Sequence, residues 1–441
     1  MTSTSPASPP PTAERGPTLR LSELLKRPVA DNGGEQLGRL SDVIVRLRGS
    51  DYPLVVGGVV SIGGGREVFV PLEQVSDFDG EVIKLSTAKL DLRQFERREG
   101  EVLLRADVLG HRLIDVENAR LVRPADLLLY RDGDEWVLSG VDTRRRPRRL
   151  FGLLGPERAV DDDTSAFRDW HDFEWLIGHV GSELQRGPFA RVRRLKPAQI
   201  ADLLEQASKN EESEILGRVH ADPELEADVF EELDEDLATR LLGARTNAEI
   251  AAVLGRMRAD DAADAVAELP QQRRQAVLDL LPPGQRTKVL TLMGFNQTSA
   301  GGLMGVDYVA VPSMATVADA LGAIRASATL QPEALTSVHA VDSDGSLSGV
   351  ARLVTLVQSD PDRTLIDVCD TDPVRVGADA DAVDVAVLMT DYNLITIPVV
   401  DDERRMLGVI TVDDILEVTL PDDWRRREAA EPPDARHGDA R

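Results

Sequence analysis

The run "DDAADAVAEL", residues 260–269, holds acidic side chains at a spacing that could do chemistry. Asp260 and Asp264 are i and i+4, and Asp261 and Asp264 are i and i+3, so on a helix at least two carboxylates share one face. Carboxylates gathered in this way suit a small, hard divalent cation, which takes oxygen ligands and keeps much of its own water. Between residues 221 and 270 there are 14 Asp and Glu against four Arg, a local net charge of −10. A structural role competes for the same residues. Asp260 falls at a helix start, with Asp236 as its counterpart one repeat earlier, and acids there are favoured by N-capping and by the helix dipole alone.

The elements that must position these acids form an array of short helices. From Pro197 to Leu292 the apolar residues follow a helical period. Val229-Phe230, Val253-Leu254 and Val277-Leu278 recur every 24 residues, as do Leu233, Met257 and Leu281, and Leu241-Leu242, Ala265-Val266 and Val289-Leu290. An earlier copy, from Leu203-Leu204 to Ile215-Leu216, fits at an offset of 26. Each repeat predicts two short helices, which must stack to bury their apolar faces; the expected result is an α-helical superhelix, or solenoid, with one acidic side.

On either side of this array the pattern is different. From Val306 to Leu420 strands and helices alternate in two copies, with "VHAVDSDGSLSGVARL" and "IPVVDDERRMLGVITV" superposing at an offset of 59. From Leu19 to about Leu150, β-branched runs such as "DVIVRL", "LVVGGVVSI" and "EVFVPL" are cut by Gly and Asp, which predicts small β-barrels. An internal echo at an offset of 84 sets Asp31, Asp42 and Tyr52 against Asp115, Asp126 and Trp136, so two related β modules are expected. The expected fold class is therefore multidomain α+β: N-terminal small β-barrel modules, an α-helical solenoid, and a pair of βαββα units.

The expected boundaries are a disordered tail at 1–18, the β region at 19–142, a linker at 143–190, helical repeats at 191–296, the paired units at 305–365 and 366–420, and a disordered tail at 421–441. Within the linker, His171, Glu174 and His179 have tempting spacings for a metal, but no fourth ligand is evident and an ordinary linker or docking helix is expected. The 441 residues fit about three or four compact units.

Charge and composition exclude several functions. A net charge of −26 repels phosphate backbones and anionic lipid, so no nucleic-acid partner is expected. A single cysteine, Cys369, excludes an intramolecular disulfide framework and a thiolate zinc cluster, which fits a reducing cytosol. The best apolar stretch, "YPLVVGGVVSIGGG", is too short and too rich in Gly to span a bilayer, which takes about 18 or more apolar residues. "MTSTSPASPPPTAERG" reads as a Pro/Ser tail and not as a secretory signal, so cytoplasmic localisation without membrane insertion is expected. There is no nucleophile–base pair, HExxH, Walker loop or metal-binding Cys/His spacing, so no enzyme is expected.

Three resemblances carry the reading further. The order "QLGRLSDVIVRL…GGREVFVPLEQV" resembles the PRC-barrel family, whose barrel docks onto other proteins. The two βαββα copies resemble a tandem CBS pair, the second copy matching better through "GVITVDDIL". Helical repeats ending "DDAADAVAELP", followed by "TSAGGLM", "VDYVAV" and a CBS pair closing on "GVITVDDILEV", resemble the cytosolic half of the MgtE magnesium transporters over residues 191–420. In that family pore helices would follow residue 420, and the expected pore domain is absent from this sequence.

The MgtE resemblance implies a soluble sensor that closes its helical and CBS domains around regulatory Mg2+. It maps the family's cation-linked acids onto Asp260, Asp261 and Asp264, onto Asp413, Asp414 and Glu417 in "TVDDILEV", and more weakly onto Asp391 in "TDYNL". It also implies a homodimer and a protein partner, with a membrane magnesium transport protein as one candidate. Gly301 and Gly302 of the "SAGGLM" signature are expected to act as a hinge, allowing positive φ or close packing, with Leu303 and Met304 plugging the joint. The CBS resemblance implies an alternative ligand, ATP or AMP, held by Gly408, Thr411 and Asp414 of a G-h-h-T-x-x-D run; the first copy lacks the Thr and the Asp. A third reading is an interaction scaffold indifferent to both ligands. The residues do not choose among them.

Overall fold

The computed structural model describes residues 17–48, 51–87, 100–144, 167–176, 191–327 and 332–420, with scattered positions between 93 and 98. Both expected tails, apart from residues 17–18, and His179 lie outside the described residues. The chain divides into two compact units, Met1–Asp234 and Glu235–Arg441, so the division falls inside the helical array.

The first unit is built on strands. Its first half carries β1 (Thr18–Arg20), β2 (Pro28–Ala30), β3 (Gln36–Arg48), β4 (Asp51–Ile62), β5 (Arg66–Pro71), β6 (Val75–Asp77) and β7 (Ile83–Leu85). Its second half carries β8 (Glu101–Leu103), β9 (Leu113–Asp115), β10 (Arg120–Val122), β11 (Asp126–Asp132), β12 (Glu135–Asp142), β13 (Arg168–Asp169) and β14 (Phe173–Trp175). Eleven of these share a sheet whose main path runs β1-β11-β12-β4-β3-β2-β7-β6, with β5 on β4, β8 on β3 and β13 on β12. β9, β10 and β14 form a smaller sheet.

The echo at 84 residues is visible in this pairing as an exchange. β1 pairs antiparallel with β11 of the other half, and its counterpart β8 pairs antiparallel with β3, the counterpart of β11. β4 and β12, also counterparts, meet at Leu54 and Val137. The two halves share one hydrophobic core, which runs from Leu19 and Val43 through Leu127 and Leu138 to Phe173 and Trp175.

The paired aspartates lock the exchange. The Asp42 carboxylate accepts the N–H groups of Val43 at 2.8 Å, Arg105 at 2.7 Å and Ala106 at 3.0 Å. Asp126 accepts the N–H groups of Leu127 at 2.9 Å and Ser22 at 3.0 Å, and the Ser22 hydroxyl at 2.5 Å. Ser22 and Ala106 are themselves 84 residues apart. Each acid thus satisfies otherwise orphaned N–H groups in the first helical turn of the opposite half, at Leu21–Leu24 and Leu104–Leu109.

The stretch expected to be a linker is in part integral to this fold. Residues 168–169 pair with β12 and residues 173–175 pair with β9, and Trp170 between them joins Phe173 and Trp175 of the second strand in the core. The Trp170 and Trp175 rings meet edge to face at 4.4 Å. "DWHDFEW" is rich in charge, yet its aromatic positions are what the second module needs to close. His171 is engaged by Asp169, its Nδ1 lying 2.8 Å from Oδ1, and Glu174 accepts Arg218 Nη1 at 2.6 Å. Both are therefore held in the fold by other partners.

Three helices complete the first unit: Pro197–Gln206, Lys209–Val219 and Pro223–Glu231. Arg218, only 3% exposed, joins the second of them to Glu174 on β14, and Arg112 joins it through Glu211.

The second unit opens with the rest of the array: Glu235–Gly243, Asn247–Leu254, Ala259–Glu268, Gln271–Leu278 and Pro283–Leu292. The helices starting at Pro223, Asn247 and Gln271 are 24 residues apart, as are those starting at Glu235, Ala259 and Pro283, so each helix start keeps the sequence period. Val253, Leu254, Val277 and Leu278 are buried, and so are Met257 and Leu281. The period breaks at the last helix, where Val289 is buried and its partner Leu290 is exposed.

The CBS pair follows with equal registers in its two halves. β15 (Ala310–Pro312) runs parallel to β16 (Ser337–Val341), which pairs antiparallel with β17 (Leu347–Arg352). β18 (Val376–Gly377), β19 (Thr396–Val400) and β20 (Met406–Thr411) repeat this, down to the irregularity after Ala340 and its counterpart Val399. Ser337 Oγ lies 2.8 Å from Thr396 Oγ1, its counterpart at an offset of 59. Leu347 donates its N–H to Arg404 O at 2.8 Å while Met406 donates to Gly345 O at 3.2 Å, a reciprocal pair about the same local two-fold.

Candidate functional site

The acidic helix Ala259–Glu268 buries Ala259, Ala262, Ala263 and Val266, an i, i+3, i+4, i+7 stripe of mostly small side chains. That stripe sets Asp260, Asp261 and Asp264 on the remaining, partly buried surface. The N-cap is Arg258, in extended conformation, so Asp260 lies within the first turn and is not the cap residue. Its carboxylate still meets the helix start, accepting its own N–H and that of Asp261.

A second helix start supplies the other acids. Thr411 ends β20 and opens the helix Val412–Thr419; its N–H donates to Asp414 Oδ2 at 2.9 Å, and its hydroxyl lies 2.8 Å from the same oxygen and 2.6 Å from Asp413 Oδ1. Thr411 and Asp414 are buried.

Arg258 brings the two helix starts together. Its Nε donates to Asp261 Oδ2 at 2.7 Å and its Nη1 to Asp414 Oδ1 at 3.1 Å. Asp260 is close enough to act on the same group. Burial pushes the Asp414 carboxyl up to about 6, and the Asp260 charge pushes it the same way, with Arg258 opposing. Burial also raises Asp260, again with Arg258 opposing and Asp264 adding to the rise. Three carboxylates from a helical repeat and from the second CBS half thus crowd one guanidinium.

The remaining expected residues fall around this group. Asp264 accepts the Gln297 side-chain amide at 2.8 Å; burial raises its carboxyl, the amide opposes, and the charges of Glu235 and Glu268 add. Asp413 and Glu417 are exposed on the helix Val412–Thr419. Asp391 ends a different helix, Ala382–Asp391, and among the described residues no hydrogen bond or ion pair joins it to the other six. Among the described residues no three acidic, His or Cys side chains converge closely enough to cage a metal ion.

Arg258 and Gln297 escaped the sequence reading. The available signal for Arg258 was a basic residue placed immediately before an acidic first turn.

Gly301 and Gly302 lie in a short helical turn, Ala300–Leu303, and neither has positive φ. They serve close approach instead. A Cβ on Gly301 would stand 2.6 Å from the Phe295 ring, and one on Gly302 would stand 2.2 Å from Asn296 O. The Ala300 and Gly301 N–H groups donate to Ala380 O and Ala378 O, both at 2.8 Å, and Met304 is fully buried against Gly408. Gly408 is bare for the same reason: its Cβ would lie 2.8 Å from Met304. In the first CBS half, Arg352 and Thr355 stand where the second has Thr411 and Asp414.

Comparison with known proteins agrees with this architecture. Residues 17–91 match the PRC-barrel domain, 195–298 the MgtE intracellular N domain and 365–420 the CBS domain. The chain thus joins a β-barrel module to a region of the kind found in MgtE proteins. It is 35% identical over 187 residues to the magnesium transporter MgtE of Thermus thermophilus, covering 41% of each chain. It is 30% identical over 131 residues to the magnesium transporter MgtE of Enterococcus faecalis, covering 30% of this chain and 29% of that one. The chain therefore spans less than half the length of these two relatives. Among solved structures, the cytosolic domain of the Mg2+ channel MgtE in complex with ATP matches with a TM-score of 0.50 and 29% identity, covering 54% of this chain and 95% of that one. Among the described residues no helix is long and apolar enough to cross a membrane.

Proposed function

We propose that this chain is a magnesium-responsive regulatory protein of the MgtE cytosolic type, which closes its helical and CBS regions around Mg2+ and acts on a protein partner. The observation that carries the reading is the meeting of Asp261 and Asp414, one from each region, on the Arg258 guanidinium at 2.7 and 3.1 Å. Like charges at a joint make the closed arrangement costly, and a divalent ion that binds it preferentially shifts the population toward it. Asp260 and Asp264 would hold the ion with its water, with Asp413 and Glu417 contributing from the second helix start. The ion supplies two positive charges there; the chain supplies the carboxylates and the small-residue stripe that lets the helix approach. A homodimer fits the same reading, because Val354, Val357, Val383 and Val387 leave apolar helix surface exposed on the CBS pair. Titrating Mg2+ through the millimolar range at constant ionic strength should reduce the radius of gyration in small-angle scattering. A profile unchanged from chelator to saturating Mg2+ would remove the proposal.

A second ligand is favoured by one observation: Gly408, Thr411 and Asp414 occupy a strand end and helix start in the second CBS half, and a similar solved domain is a complex with ATP. ATP or AMP would take ribose and phosphate contacts there. Calorimetry should show binding that Thr411→Ala weakens by about tenfold, the loss of one hydrogen bond to a charged group. No heat with either nucleotide would dismiss this ligand.

A further inference from the structure

We infer that Arg258 sets the cation requirement of this site, its guanidinium linking the acidic helical repeat to the second CBS half in place of part of the charge a divalent ion would bring. This rests on the regulatory reading above but concerns a residue which that reading does not use. The geometry is specific to a fork: Nε engages Asp261 at 2.7 Å and Nη1 engages Asp414 at 3.1 Å, so one planar group spans two elements. Asp414 is otherwise committed, its second oxygen receiving the Thr411 N–H. Asp260, Asp261 and Asp414 bring three carboxyl groups to the joint, and Arg258 sets one fixed positive charge against them. Unlike a bound ion, that offset cannot be chelated or diluted away. The joint is therefore partly closed before any metal arrives, and Mg2+ supplies the remainder. An uncharged side chain at 258 would hand the whole neutralisation to the ion and make the chain more dependent on it.

The test uses the intact chain with Arg258→Gln, which keeps hydrogen-bond donors and removes the charge, and with Arg258→Lys, which keeps the charge and loses the fork. Small-angle scattering is recorded in chelator and in saturating Mg2+, with circular dichroism confirming an unchanged fold. In chelator the Gln variant should be more extended than wild type, and its compaction by Mg2+ should be about twofold larger because the uncompensated charge at the joint is greater. The Lys variant should fall between. If Arg258→Gln matches wild type in chelator, the inference is overturned, whether or not Mg2+ acts. If wild type and variant are both indifferent to Mg2+ but differ in chelator, the arginine link stands and the magnesium reading fails.

Discussion

Replacing Gly302 by alanine should destabilise the second unit by about 3 kcal/mol, the upper end of the cost of forcing extra atoms into a packed site. The added Cβ would stand 2.2 Å from Asn296 O and 2.6 Å from the Cα of Gln297. Both are backbone atoms, so no side-chain rotation relieves the clash. The loop that would have to move also carries Gln297, which donates to Asp264, so the damage should extend to the acidic helix. Gly305→Ala is the control: its Cβ would come no nearer than 3.7 Å to Val409 O, an ordinary contact. Differential scanning calorimetry should show a lowered transition for Gly302→Ala and a near-native one for Gly305→Ala. Equal curves for the two variants would mean that the close approach at Gly302 does not constrain the fold.

These glycines also show how far the sequence could be read. "SAGGLM" marked a place where backbone must come close, and it does, but nothing in two adjacent glycines distinguishes close packing from a left-handed turn. Repetition was the most legible feature. A 24-residue period fixes the start of every helix from Pro223 to Pro283, because each repeat must present the same apolar stripe to its neighbours. The offset of 59 in the CBS pair likewise becomes equal strand registers. What could not be read was which copy each element serves. β1 and β8 complete the opposite halves of the β unit, a choice made by long-range pairing and not by local preference. Residues 168–175 were hidden for a related reason: their charge resembles a linker, and only the position of β9 and β12 turns Phe173 and Trp175 inward. In the acidic site, spacing placed Asp260, Asp261 and Asp264 on one helix, but Arg258 sits 156 residues from Asp414 and no periodicity connects them.

The β unit should become more stable as pH falls from 7 to 5, by about 1.4 kcal/mol, the worth of the single pH unit that one buried acid titrating near 6 gains by pH 5. The cause is Asp42. Burial raises its carboxyl from 3.8 to about 6, against three backbone N–H groups that favour the charged form. Folding thus holds the proton more tightly, so this contribution is complete below 3.8 and is lost as pH rises through about 6. Asp172, also raised by burial, acts in the same direction. The opposing groups act lower on the scale. Asp115 is held low by Arg168 and Asn118 despite its burial, and Arg112 draws Glu211 down to about 2 despite its own, so their stabilisation fades only as pH drops below their ordinary values near 4. Three of the four tryptophans, Trp136, Trp170 and Trp175, belong to the β core, so tryptophan fluorescence during thermal unfolding reports mainly on it. Asp42→Asn keeps a carbonyl oxygen for the Val43 and Arg105 N–H groups and removes the titration. It should flatten the dependence between pH 7 and 5, and a wild-type slope that persists in this variant would assign the effect to another group. The expected slope has a structural meaning as well. Asp42, one of the two acids that join the β halves, is buried at a cost when charged, so a contact that ties the halves together is also one that neutral pH weakens.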